Sequence, residues 1–351
     1  MSVAAEPLVS ADSVTFRLPD AEPGGHRALD GARLLPDLSL ADTGLDFHGL
    51  DFDYADDAWQ LTLDRPPVRR MEYRFQLRHL AGDLEEICDP GNPLRAPGAF
   101  GDKSVVEFPD YTAPAWLSAE RVAGERLEVA ERVTVWTPAA PDEPLPLLVA
   151  HDGPEYDRLA GLTGFLAALV AAGRLPRCRV ALLAPGVRDE EYSADPYHSA
   201  LLHQRVLPGL RDTFATTGPV VGMGASLGGL AMLHAQRALP SLFGGLFLQS
   251  ASFLTEELDQ QENGRFSKFA QVNAYVQQVL AEGTPAETVP TVLTCGLAEE
   301  NLANNRQMAA TLAKQGYPSR LVEVPDAHNY VGWRDAFDPA LADLLRDVWE
   351  A

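Results

Sequence analysis

Residues 218–230 read GPVVGMGASLGGL, and this stretch constrains the fold more than any other. A short apolar run leads into a Gly-rich turn, and a helix-favouring segment, 230–239, follows and is closed by Pro240. The order is strand, sharp turn, helix, with Gly224 and Gly228 flanking Ser226 in the G-x-S-x-G pattern of a nucleophile elbow. Such a turn strains the serine backbone, and a side chain two residues away would collide with the neighbouring strand or helix; glycine avoids the collision. The amide of Leu227 then sits at a helix N-terminus, where it can stabilise an oxyanion. The competing reading is a Gly-rich connection with an incidental serine. The strand before Ser226 and the helix after it argue against that.

The surrounding pattern fits. Strands are predicted over 129–136, 145–150, 179–184, 220–222, 245–249, 291–295 and 320–324. Helices over 161–172, 198–214, 230–239, 304–315 and 339–349 alternate with them. Apolar strands alternating with helices of this length predict a mostly parallel sheet covered on both faces. Residues 252–287 are the least regular and are expected to fold as a cap over the site. Before residue 120 the pattern differs. Alternating strands over 14–18, 59–63 and 71–77, another strand over 104–108, and a Gly- and Asp-rich connection at 42–57 predict a small β-sandwich. Residues 109–116 read as its exit linker, so the expected domains are 1–120 and 121–351.

A serine nucleophile needs a base, and the base needs an orienting acid. In hydrolases on such a sheet the chain order is serine, acid, histidine. His328 lies in a polar loop after the 320–324 strand and is the expected base; His234, within the elbow helix, is expected to pack elsewhere. After the 291–295 strand come Glu299 and Glu300. One would accept the imidazole hydrogen bond and the other would cap the next helix. Sequence leaves both open, with Asp326 a third, less favoured acid. The second oxyanion donor is expected from His151-Asp-Gly-Pro-Glu155. Pro154 has no amide hydrogen, so the donor is Gly153 or Glu155. His151 reads as a satisfied structural histidine, with a place behind the site as the alternative. Asp152, Arg188 and Trp333 are the expected substrate contacts. For Arg188 the competing reading is a surface ion pair with Asp189 or Glu190.

A net charge of −22 over 351 residues argues against nucleic acid or an anionic membrane as partner, because phosphates need a basic surface. The start lacks a basic segment followed by an apolar core, and no apolar run reaches spanning length. The three cysteines, Cys88, Cys178 and Cys295, lack CxxC spacing and are expected to be buried free thiols. The expectation is a cytoplasmic enzyme acting on a small-molecule ester, with no cofactor and no metal.

With these residues assembled, the chain resembles the enterochelin (enterobactin) esterase family, within the esterase-D-like α/β-hydrolases, over nearly its whole length. The motifs are GMGASLGGLAMLHA around Ser226 and DAHNYVGWRDAF around His328, with HDGPEY, EEYSADPYHSALLHQRVLPGL and CGLAEENLANNRQMAATL. The segments PVRRMEYRFQL, DPGNP and FPDYTAPAWL resemble the immunoglobulin-like (E-set) domain preceding the hydrolase in these esterases. The resemblance implies an α/β-hydrolase behind such a sandwich. It implies Ser226 as nucleophile, His328 as base and Glu299, counted from Gly296, as the better-placed acid. The implied reaction is hydrolysis of the trilactone of a catecholate siderophore, releasing iron. The same triad would serve a general, aryl or feruloyl-type carboxylesterase. The front domain type, related to those of glycogen-branching enzymes, also admits a carbohydrate-binding protein with an inactive hydrolase domain.

Overall fold

A computed structural model describes residues 6–20, 27–39 and 47–350. The chain divides into two compact units, 1–112 with 296–300 and 325–332, and 113–295 with 301–324 and 333–351. The expected 42–57 connection lies partly outside the described residues; its last part forms the strand Asp53–Ala55.

The strands of the first unit form two antiparallel sheets. One orders Leu8–Val9, Ser13–Pro19, Ala58–Asp64 and Asp53–Ala55. The other orders Leu29–Pro36, Arg70–His79, Lys103–Glu107 and Arg95–Ala96, with Leu84–Ile87 also on Arg70–His79. Alternation produces this packing. In Ser13–Pro19, Val14, Phe16 and Leu18 are buried while their neighbours are half-buried. Phe16 of one sheet meets Tyr73 and Phe75 of the other at ring-centroid distances of 4.9 and 5.9 Å. The strand Leu29–Pro36 escaped the sequence pattern because Asp30-Gly31 interrupts its alternation at an irregularity in register. Ala298 and Ala327, from the two returning segments, belong to this unit's core. Backbone bonds from Ser39 N to Ala298 O and from Arg69 N to Pro325 O, both 2.9 Å, tie those segments down.

The second unit carries a mixed eight-stranded sheet. Its order is Glu125–Ala130, Val133–Thr137, Arg179–Leu183, Leu147–His151, Val221–Ala225, Gly245–Gln249, Thr291–Gly296 and Ser319–Val324. The pairings from Arg179–Leu183 through Thr291–Gly296 are parallel, and the two before them are antiparallel. Those five parallel-paired strands are buried at every position, which is why they read as continuous apolar runs. The single strand expected over 129–136 is instead a hairpin. It reverses at Glu131-Arg132, with Arg132 at φ 67°, and carries none of the glycine, asparagine or proline that signals a turn. The 252–287 stretch is also more regular than expected. Its helix Phe269–Ala281 buries Val272, Val276 and Val279 in the main core at helical spacing. The helices Gly153–Ala160 and Arg188–Tyr192 were not anticipated either.

Among the described residues, no helix is long and apolar enough to cross a membrane. Cys178 and Cys295 are buried as expected, but Cys88 is only half-buried, with its Sγ 3.3 Å from the carbonyl of Asp102.

Candidate active site

The elbow is built within the second unit. The strand Val221–Ala225 delivers Ser226 at φ 55° and ψ −128°, and the helix Leu227–Ala238 starts at the next residue. Positive φ is costly for a serine and persists only where the surroundings over-determine it. Here Ser226 N donates to Gln249 O at 2.9 Å, and Ser226 O accepts from Gly229 N, Leu230 N and Ser252 N. A Cβ on Gly224 would lie 2.5 Å from the backbone of Gly228, so this glycine is fixed by contact. Leu227 and Gly153 each open a helix, so neither amide has an intrahelical acceptor. Ser252 Oγ lies 3.1 Å from Ser226 Oγ, a neighbour that no pattern in the sequence announced.

Asp152 holds the left-handed conformation at φ 50° ahead of the helix Gly153–Ala160 and is 5% exposed. Arg188 grips it through Nε at 2.9 Å and Nη2 at 2.8 Å, so the partner of Arg188 is Asp152 and not Asp189 or Glu190. A Cβ on Gly228 would lie 3.3 Å from Asp152 Oδ2, which sets this ion pair beside the start of the elbow helix. His151 is fully buried, with Nδ1 3.1 Å from Gly228 O and its ring stacked on Tyr192. Burial and the neighbouring His198 keep its pKa well below the ordinary histidine value. His234 Nδ1 lies 2.8 Å from Ser199 Oγ, a packing role as expected. Trp333 is 7% exposed, and its indole N–H donates to Ser250 Oγ at 2.9 Å.

In the first unit the returning segments bring a carboxylate and an imidazole together. Glu299 Oε2 lies 2.7 Å from His328 Nδ1. Glu299 is 2% exposed, and its Oε1 accepts from Gly296 N, so both carboxylate oxygens are engaged. Burial lowers the His328 pKa, but the hydrogen bond and charge of Glu299, helped by Glu300 and Asp37, outweigh it and leave the pKa raised. Glu300 is exposed. Asp326 turns elsewhere. Its Oδ1 accepts from Ala327 N at 2.8 Å and Asn329 Nδ2 at 2.9 Å, and burial pushes its pKa up to about 7. A carboxylate-backed imidazole with Nδ1 engaged can serve as a general base at Nε2, and a serine on such a turn can serve as a nucleophile.

A family model described as "Putative esterase" matches residues 125–344. No curated protein matches the chain. Among solved structures, an enterochelin esterase from Shigella flexneri has a TM-score of 0.74 at 21% identity, covering 99% of this chain and 96% of its own. A ferric enterobactin esterase from Salmonella typhimurium has a TM-score of 0.71 at 19% identity, covering 100% and 98%. A ferulic acid esterase reaches 0.51 at 17% identity, covering 64% and 97%. At such identities the likeness is one of fold, and in the first two it spans both units.

Proposed function

The chain belongs to the Esterase family, the carboxylic ester hydrolases, and on that premise we propose that it works as a serine esterase through an acyl-enzyme. Ser226 Oγ attacks the ester carbonyl while His328 Nε2 takes its proton. Glu299 accepts the Nδ1–H and steadies the imidazolium. The amides of Leu227 and Gly153 receive the oxyanion. Collapse of the tetrahedral intermediate expels the alcohol, protonated by His328, and a water deprotonated by the same imidazole then releases the acid. Two observations support the reading, the 2.7 Å bond between Glu299 and His328 in one unit and an elbow serine held at positive φ in the other.

The substrate proposed is the trilactone of a catecholate siderophore, in a cytoplasmic α/β-hydrolase with an immunoglobulin-like front domain. It is supported by a likeness to enterobactin esterases that runs through both units. A simpler aryl ester is the second reading. Arg188 shares its charge with Asp152, which leaves less positive potential for a highly anionic ferric complex. Ser226→Ala should abolish ester turnover while leaving the thermal transition in place; retained near-wild-type activity would refute the nucleophile. Turnover of the trilactone, with and without iron, measured against aryl esters then separates the two substrates.

A further inference from the structure

A cavity of about 550 Å³ opens in the second unit between the Glu125–Thr137 hairpin and the helical stretch 196–213. Val133 and Leu183 line it from the sheet, and Leu201, Leu202, Val206 and Leu210 line it from the helices. The volume falls within the roughly 300–1,000 Å³ of small-molecule sites, which pair an apolar lining with a few placed polar groups. One such group is His198, which is 7% exposed and whose Nδ1 has no hydrogen-bond partner.

The proton arrangement of that nitrogen follows from its neighbours. A carbonyl only accepts, so His151 must donate its Nδ1–H to Gly228 O. Burial keeps His151 neutral, which leaves its Nε2 a bare acceptor. His198 Nε2, 3.0 Å away, must therefore carry a proton and donate it to His151. Burial also lowers the His198 pKa, so its remaining nitrogen, Nδ1, is an unfilled acceptor on a residue that lines the cavity. Glu191 Oε2 lies 3.9 Å from that nitrogen. A carboxylate ligand would face both a lone pair and this charge. A cation finds Glu191 already taken, by Arg132 at 2.7 Å and by Gly186 N at 3.0 Å.

We propose that this cavity binds an uncharged, largely apolar molecule bearing one hydroxyl, which donates its O–H to His198 Nδ1. The site involves none of the groups assigned to ester cleavage and stands whether or not that assignment does.

The test uses Ser226→Ala protein, so that no turnover intervenes. Isothermal titration at pH 8 compares 4-hexylphenol and 1-octanol with 4-hexylanisole, which keeps the apolar body and lacks the donor. At least one hydroxyl ligand should bind saturably at one per chain, and the better of the two identifies the body as aryl or alkyl. The anisole should bind at least about fivefold more weakly, the value of one neutral hydrogen bond. Leu201→Trp, at a half-buried wall position, should cut the binding at least tenfold with an unchanged thermal transition. Equal affinity for phenol and anisole, no saturable binding of either hydroxyl ligand, or binding untouched by Leu201→Trp overturns the proposal. If the tryptophan variant does not fold, the phenol-to-anisole ratio decides alone.

Discussion

Replacing Glu299 with glutamine is the sharpest perturbation of the proposed site, because both carboxylate oxygens are engaged. Oε1 accepts from Gly296 N and Oε2 accepts from His328 Nδ1. Glutamine has one oxygen and one NH₂ group for these two donors. If its oxygen keeps the Gly296 bond, the NH₂ faces His328 and forces the Nε2–H tautomer, which cannot act as a base at Nε2. If it flips, two donors oppose each other at Gly296, at 2% exposure. The expected fall in kcat/KM is about 10²–10⁴-fold, the range for losing base catalysis or its tautomer. The pH profile moves as well. Wild-type His328 has a raised pKa, so its base form appears only above the ordinary histidine range, and the acid limb of kcat/KM lies there. Without Glu299, burial dominates and the limb shifts to lower pH. Linkage has the matching sign. A raised histidine pKa adds stability that is complete below the unfolded value of about 6.5 and is lost as pH rises through the folded value. The variant should lose that contribution. The assay is a pH series on a chromogenic ester, with Glu300→Gln as the exposed control, expected within about threefold of wild type. A Glu299→Gln enzyme within threefold of wild type, with its acid limb unmoved, would falsify the dyad.

Three further outcomes follow from the geometry. Gly224→Ala puts a Cβ 2.5 Å from the Gly228 backbone, which cannot move aside cheaply, and should cost about 2 kcal/mol or more, with loss of ester turnover; a thermal transition equal to wild type refutes this. Asp326 is buried with its pKa raised to about 7, so its stabilising contribution is present below about pH 4 and lost as pH rises towards 7. Asp326→Asn keeps the acceptor at Oδ1 and should gain on wild type by up to about 4 kcal/mol in urea titrations between pH 4 and 8; a difference that does not change with pH refutes it. Arg188→Ala leaves Asp152 nearly buried without its bidentate partner and should cost about 1–2 kcal/mol in the same assay, discounted for the 36% exposure of the arginine side chain; equal stability refutes it.

What the sequence determined by itself was local. Gly224, Ser226 and Gly228 announce the elbow because steric demands within five residues choose their types, and the buried strands announce themselves because a sheet covered on both faces needs apolar runs. The hairpin at Glu131-Arg132 stayed hidden because its turn uses residues with no turn signature. Glu299 and Glu300 are the same residue one position apart, so local residue type does not separate them, and in the structure one is buried and the other exposed. Arg188 found Asp152, 36 positions away, instead of its acidic neighbours. Tertiary structure also decided what holds the loops that carry Glu299 and His328. Ala298 and Ala327 pack into the core of the N-terminal unit, and Ser39 and Arg69 bond the same segments, a dependence between positions more than 200 apart that no local pattern encodes.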